Sequence, residues 1–227
     1  DGTYHVRSMG GVEKDRINND PAFERTRENN REFGLVASAT KSFKRAIQNL
    51  IYDVRDPKRS IRLNSLLHRV KALDTTSDRG ERKVSIGMQT DEAKEVLKYF
   101  DFNGTAPLDV ILMANYGLDT TNEEVTIPAF SPKRNLNLPE GATDVKIEAA
   151  RLRFHFESGD YELIHSNVEE MTIQDTVSDL VFTFQETPTL DGLDYYFLKV
   201  AFFQQMNAKI YPLNNGAFNA LQLIEVE

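Results

Sequence analysis

Residues 20–34, D-P-A-F-E-R-T-R-E-N-N-R-E-F-G, hold the chain's densest set of side chains with chemistry to offer. Arg25, Arg27 and Arg31 present guanidinium forks of the kind that grip phosphates, and Asn29 and Asn30 carry amides suited to base edges. On a helix, however, Glu24, Glu28 and Glu32 fall at i, i+4 spacing with Arg27 and Arg31 beside them, the ladder of a salt-bridged surface. Three glutamates on that helix would also repel a nucleic-acid backbone. The segment is therefore expected to be an interaction face that docks on the chain's own sheet or on a neighbouring subunit. Phosphate or nucleic acid is the rival occupant, and plain solvated surface the simplest alternative.

Other candidates for chemistry are sparse. The chain has no G-x-S-x-G, no P-loop, no H-E-x-x-H and no dinucleotide fingerprint. With no cysteine there is no disulfide, thiolate nucleophile or cysteine metal site, a usage compatible with any compartment. His155 and His165 flank a turn but are expected on opposite faces, so they do not converge on the three or four ligands that zinc needs. His68 reads as a partly buried helix residue rather than a catalytic base. Asp119, Glu123 and Glu124 form an acidic loop without the ligand rhythm and central glycine of a calcium hand. Asn103-Gly104-Thr105 fits a glycosylation pattern, yet Asn-Gly is first a turn dipeptide. No cofactor is called for, and the expected function is non-enzymatic.

What must position these residues follows from length, charge and pattern. A chain of 227 residues suffices for one large domain or two small ones, and its 40% hydrophobic and 27% charged residues are ordinary for a globular protein. The longest apolar runs fall far below the ~20 residues that cross a bilayer. Residues 1–100 carry 20 Lys+Arg against 15 Asp+Glu, a balance of +5, and residues 101–227 carry 7 against 20, a balance of −13, which together give the net −8. Such a split suits subunits that attract one another, or a basic arm for nucleic acid, or simply a helical half that wears more cations.

Asp20-Pro21 is an N-cap followed by proline at the first helical position, and the helix it opens is expected to stop or bend at Gly34. Leu35, Ala39, Phe43, Ala46, Ile47, Leu50 and Ile51 then recur at helical spacing. Asp56-Pro57 repeats the start signal, and Ile61, Leu63, Leu66, Leu67, Val70 and Leu73 form a second stripe, completing a helical hairpin that should bury Phe43, Ile47, Leu50, Leu66 and Val70. Beyond about residue 105 the pattern turns to strands, expected at 123–130, 145–156, 160–166, 180–185, 194–206 and 221–226. A two-residue Ser158-Gly159 turn would set Phe156 against Tyr161, Phe154 against Leu163 and Leu152 against His165, all on one face. Asn214-Asn215-Gly216 is a further turn, and Tyr195–Phe203 reads as a central strand covered on both faces.

The expected fold is α+β: an N-terminal helical hairpin region followed by a mainly antiparallel β-sandwich-like domain. The division is an arm over 1–19, a helical region over 20–100 and a β-rich domain over 101–227. Asp1-Gly2 reads as a hairpin turn, with Tyr4 and Val6 in a strand over residues 3–7 that pairs with a strand upstream and packs on another sheet, its own or a neighbour's. The opening at Asp1 rather than methionine suggests residues upstream.

The runs G-G-V-E-K-D-R-I-N-N-D-P-A-F-E-R-T-R-E-N-N-R-E-F-G, R-G-E-R, V-T-I-P-A-F, L-P-E-G-A-T-D and Y-P-L-N-N-G-A-F-N-A-L resemble an uncharacterised family of Bacteroidota proteins. The resemblance covers the chain from about Gly10 onward and implies no activity and no site residue. It does imply a short Gly- and Lys-containing β-like segment ahead of Asp1-Gly2. Two functional readings follow. One is a structural or interaction protein, self-assembling into a homo-oligomer through strand pairing and complementary charge. The other is a nucleic-acid-associated protein using the cations of the helical hairpin, Lys41, Lys44, Arg45, Arg55, Lys58, Arg59, Arg62, Arg69 and Lys71.

Overall fold

The structure, a computed structural model, describes residues 11–227, so Tyr4, Val6 and the strand expected over residues 3–7 lie outside the described residues. Among the described residues, the first hundred positions hold six α-helices: α1 (Lys14–Asn19), α2 (Glu24–Ala46), α3 (Gln48–Ile51), α4 (Arg59–Ala72), α5 (Val84–Gly87) and α6 (Asp91–Leu97). The later residues form β1 (Phe100–Asp101), α7 (Leu108–Ile111), β2 (Gly117–Asp119), β3 (Glu124–Phe130), α8 (Pro132–Asn135), β4 (Asp144–Phe154), β5 (Tyr161–Thr172), β6 (Ser178–Thr183), β7 (Leu193–Met206), β8 (Lys209–Pro212) and β9 (Ala220–Val226). The fold is α+β, and every strand pairing is antiparallel.

One sheet runs β1-β9-β7-β4-β5, with β8 paired to the far end of β7; the other runs β2-β3-β6. Side chains alternate along β7, so the two faces of the large sheet meet different layers. Tyr195 and Phe197 join Ala150, Leu152, Phe154, Leu221 and Leu223 in one core with Phe43, Ile47, Leu50, Leu63, Leu67 and Val70 of the helices. Tyr196, Leu198, Val200 and Phe202 join Val145 and Ile147 in a second core against Val125, Ile127, Phe130, Leu180 and Phe182 of the small sheet. The architecture is three layers, with helices and a small sheet on opposite faces of a central sheet.

Two local expectations are corrected. Helix α2 does not stop or bend at Gly34 but runs unbroken to Ala46. A Cβ at Gly34 would meet nothing within 4 Å, so no close approach requires the glycine. A helical glycine costs only ~1 kcal/mol, which burial of Val36, Thr40, Phe43 and Ala46 around it readily offsets. The β4–β5 hairpin pairs Phe154 with Tyr161, Leu152 with Leu163 and Ala150 with His165, a slip of two residues from the tight-turn register. Its turn is wider, closed by Gly159 N donating to His155 O at 2.8 Å and His155 N donating to Asp160 O at 3.0 Å. Because the slip is even, each side chain keeps its expected face. A bulge opposite Ala149 then shifts the register again.

Asp20 accepts from Ala22 N at 2.9 Å and Pro21 opens a 3-10 turn into α2, as the start signal requires. Of the expected hairpin core, Phe43, Ile47, Leu50 and Val70 are buried, while Leu66 is half-buried beside buried Leu67.

Phe43 carries the contact between helix and sheet. Its ring centroid lies 5.3 Å from Phe154, 5.7 Å from Phe156 and 5.2 Å from Tyr195. Phe43→Ala should cost about 3–5 kcal/mol of stability in urea unfolding, by lost burial and the cavity left behind. A loss under about 1 kcal/mol would mean that α2 does not dock here.

Candidate functional site

The polar segment lies on α2, where it fastens the chain to itself. Arg27 donates to Ile17 O at 2.8 Å and Asp20 O at 2.9 Å, tying the end of α1 to the start of α2. Glu28 pairs with Arg79 at 2.9 Å and Arg31 with Glu81 at 3.2 Å. Buried Glu32 takes Gly80 N at 2.9 Å on one oxygen and Lys71 on the other. Burial alone would raise the Glu32 carboxyl, but the Lys71 and Gly80 hydrogen bonds hold it below its ordinary range. Glu28 and Glu32 thus reach across to α4 and the loop between α4 and α5 rather than along their own helix. Arg25, Asn29 and Asn30 are exposed, and among the described residues their side chains make no hydrogen bond or salt bridge to another element. At 100° per residue Arg25 and Asn29 share a face that Arg27 and Arg31 do not. The five candidates are not brought together.

The cations of the hairpin are similarly divided. Arg59 donates to Val54 O at 2.7 Å, Arg62 to Asp56 at 2.6 Å and Asp101 O at 2.7 Å, Lys44 to Ser60, and Lys71 to Glu32. Lys41, Arg45, Arg55, Lys58 and Arg69 are exposed. The acidic loop closes on itself, Asp119 accepting from Thr121 N at 2.9 Å and Asn122 N at 3.0 Å while Glu123 takes Arg151 at 2.7 Å. Asn103 is buried and donates to Ala217 O at 3.0 Å and Asn219 O at 2.9 Å. His68 is half-buried against Phe33, ring centroids 5.3 Å apart, and desolvation lowers its pKa.

Sequence reasoning missed two buried charge clusters. Asp194 accepts from Arg151 at 2.7 Å and twice from Arg153 at 2.6 Å, joining β4 to β7. Burial alone would raise the Asp194 carboxyl and depress the Arg151 guanidinium, but their mutual hydrogen bonds outweigh it in both, so the pair stays charged. Lys199, buried in the middle of β7, pairs with Asp53 at 2.8 Å and Glu148 at 3.1 Å. Alternating charge on a strand is the signal available for both clusters, but the partners lie far off in sequence, 146 residues for Asp53.

Three surface features remain. The ribbon of β7 and β8 turns tightly at Asn207-Ala208, both left-handed, and β8 is exposed along its whole length. A groove of about 780 Å³ runs between α2 and α4 past Phe33, Lys41, Ile61 and His68. A cavity of about 440 Å³ lies between α5, the β4–β5 turn and the start of β7. No family profile, no curated protein and no solved structure matches the chain. No helix among the described residues is long and apolar enough to cross a membrane.

Because Arg27 holds two carbonyls and Arg25 none, the two arginines should separate on substitution. Arg27→Ala should lower the melting temperature by about 2–4 °C, the equivalent of roughly 1 kcal/mol, and Arg25→Ala should leave it unchanged. Equal effects from both would contradict the fastening role.

Proposed function

We propose that this chain is a non-enzymatic interaction protein that assembles with copies of itself, with the β7–β8 ribbon as the joint. The observation that carries this reading is the open outer edge of β8. Strand β8 pairs with β7 on one side only, Met206 facing Lys209, Gln205 facing Ile210 and Gln204 facing Tyr211. Gln205 N donates away from β8 to Thr143 Oγ1 at 2.6 Å, which makes Gln205–Ile210 a non-hydrogen-bonded pair. Ile210 therefore turns its own N–H and C=O outward to the open edge. Ile210 is 50% exposed on one face of the ribbon, and Met206 and Tyr211 are 51% and 44% exposed on the other. An added strand would take up those backbone groups and cover apolar side chains on both faces. Lys209 and Pro212 bracket the edge, which limits any added strand to a short, specific segment.

The charge split supports the same reading. A half at +5 and a half at −13 attract between copies, and that attraction weakens with salt. The nucleic-acid reading draws less support, since four of its nine cations are held by carboxylates, carbonyls or a serine of the same chain.

Size-exclusion chromatography with light scattering at low and high salt tests the proposal. The unmodified chain should exceed monomer mass at low salt and shrink towards it at high salt. Ile210→Pro removes the outward N–H without touching the β7–β8 ladder, so it should yield a folded monomer. A chain monomeric under all conditions, or an Ile210→Pro variant of unchanged size, would overturn the assignment.

A further inference from the structure

We infer that the groove between α2 and α4 is the docking site for an acidic amphipathic helix of a partner protein. The groove, of about 780 Å³, follows α2 from Phe33 past Ala37 and Lys41 to Lys44, and α4 from His68 to Ile61. That is about three helical turns, or ~17 Å at 1.5 Å per residue, the reach of a short helix. Each end carries an uncovered apolar anchor. Phe33 lies beside His68 and is 57% exposed. Ile61, at the Lys44 end, is 72% exposed, more than any other large aliphatic side chain of the described residues. Thr40 against Asn64 at 3.0 Å and Lys44 against Ser60 hold the two helices at a fixed spacing, so the groove is formed before any partner arrives.

Charge specifies the occupant. From Phe33 to Tyr52 and from Pro57 to Leu73 the sequence holds eight Lys and Arg and no Asp or Glu. The ion pairs of α2 and α4 belong to Glu28, Arg31, Glu32, Arg62 and Lys71, so among the described residues Lys41 and Lys44 face no carboxylate. Lys44 leans only on the neutral hydroxyl of Ser60. An apolar trough with cations along it takes a partner with an apolar stripe and carboxylates beside that stripe. The docking segment is a helix, because α2 and α4 satisfy their own backbone and offer no strand edge. A groove between two helices instead accepts the ridge of a third. A second copy of the chain does not supply it. Among the described residues the helix richest in acids for its length is α6, D-E-A-K-E-V-L, and its apolar Ala93 and Leu97 are already buried in the core.

This groove is separate from the ribbon joint, so the two can fail independently. The probe is a fluorescein-labelled synthetic peptide of about 14 residues, with leucines at helical spacing on one face and glutamates beside them. Its anisotropy should rise saturably with the unmodified chain and equally with Ile210→Pro, and its affinity should fall with added salt. A scrambled peptide of the same composition should not bind, nor should one with lysine for every glutamate. Ile61→Glu and Lys41→Glu should each weaken the acidic peptide about tenfold or more. Neither should lower the melting temperature, since both side chains are exposed in the free chain. Lys41→Glu together with Lys44→Glu should reverse the preference and favour the lysine peptide. Absence of saturable binding would overturn the proposal, as would a scrambled peptide that binds equally or an affinity unmoved by Ile61→Glu. Phosphatidylglycerol vesicles or duplex DNA that bind more tightly than the peptide, and lose affinity in Ile61→Glu, would assign the groove to a membrane or a nucleic acid and overturn it. Peptide affinity that falls as protein concentration rises would assign the groove to another copy of the chain, and overturn the partner reading.

Discussion

Strand β7 must be covered on both faces, and the rest of the molecule is arranged to do so. From Asp194 to Phe202 every residue of the strand is buried, with Tyr195 and Phe197 towards the helices and Tyr196, Leu198, Val200 and Phe202 towards the small sheet. Fully burying a large apolar side chain is worth ~1.5–3 kcal/mol, so losing either covering layer would expose several such contributions at once. The helical layer is equally dependent, because the stripe of α2 and α4 finds its partner on β4, β7 and β9. Neither the helical part nor the small sheet closes a core by itself.

That constraint explains where the polar groups went. A charge inside a doubly covered strand is tolerated only with partners, and Lys199 has Asp53 and Glu148. The loops that fold back onto the layers are fastened in the same way. Asp74 is buried and accepts from Thr76 N, Ser77 N and Lys83 N at 3.1, 2.9 and 2.9 Å, and Asn219 donates to Asp53 O at 2.8 Å while accepting from Phe202 N at 3.0 Å. The dense polar segment of α2 belongs to this set. Arg27, Glu28 and Glu32 hold α1 and the α4–α5 loop.

The layers were legible because burial writes itself as periodicity. The stripe from Phe43 to Ile51 and the two-sided run from Tyr195 to Phe203 could be read without coordinates, as could the faces of Leu152, Phe154 and Leu163. The hairpin register was not, since Ser158-Gly159 looks the same in a two-residue turn and in the wider turn that the His155 carbonyl closes. The unbroken path of α2 through Gly34 was hidden because tertiary burial overrode a local propensity. Strands β1 and β8 have two and four residues, too few for a period to show, yet β8 carries the edge on which the functional reading rests.

Amide hydrogen exchange on the intact chain, followed by mass spectrometry at two protein concentrations, tests the whole account in one experiment. A core built around β7 and a joint built on β8 make opposite demands on neighbouring residues of the same ribbon. Amides of residues 195–202 should be among the last to exchange, at a rate independent of concentration. Those of residues 206–212 should exchange quickly when dilute and become protected as concentration rises. Protection of residues 206–212 that is the same at both concentrations, or rapid exchange across residues 195–202, would contradict it.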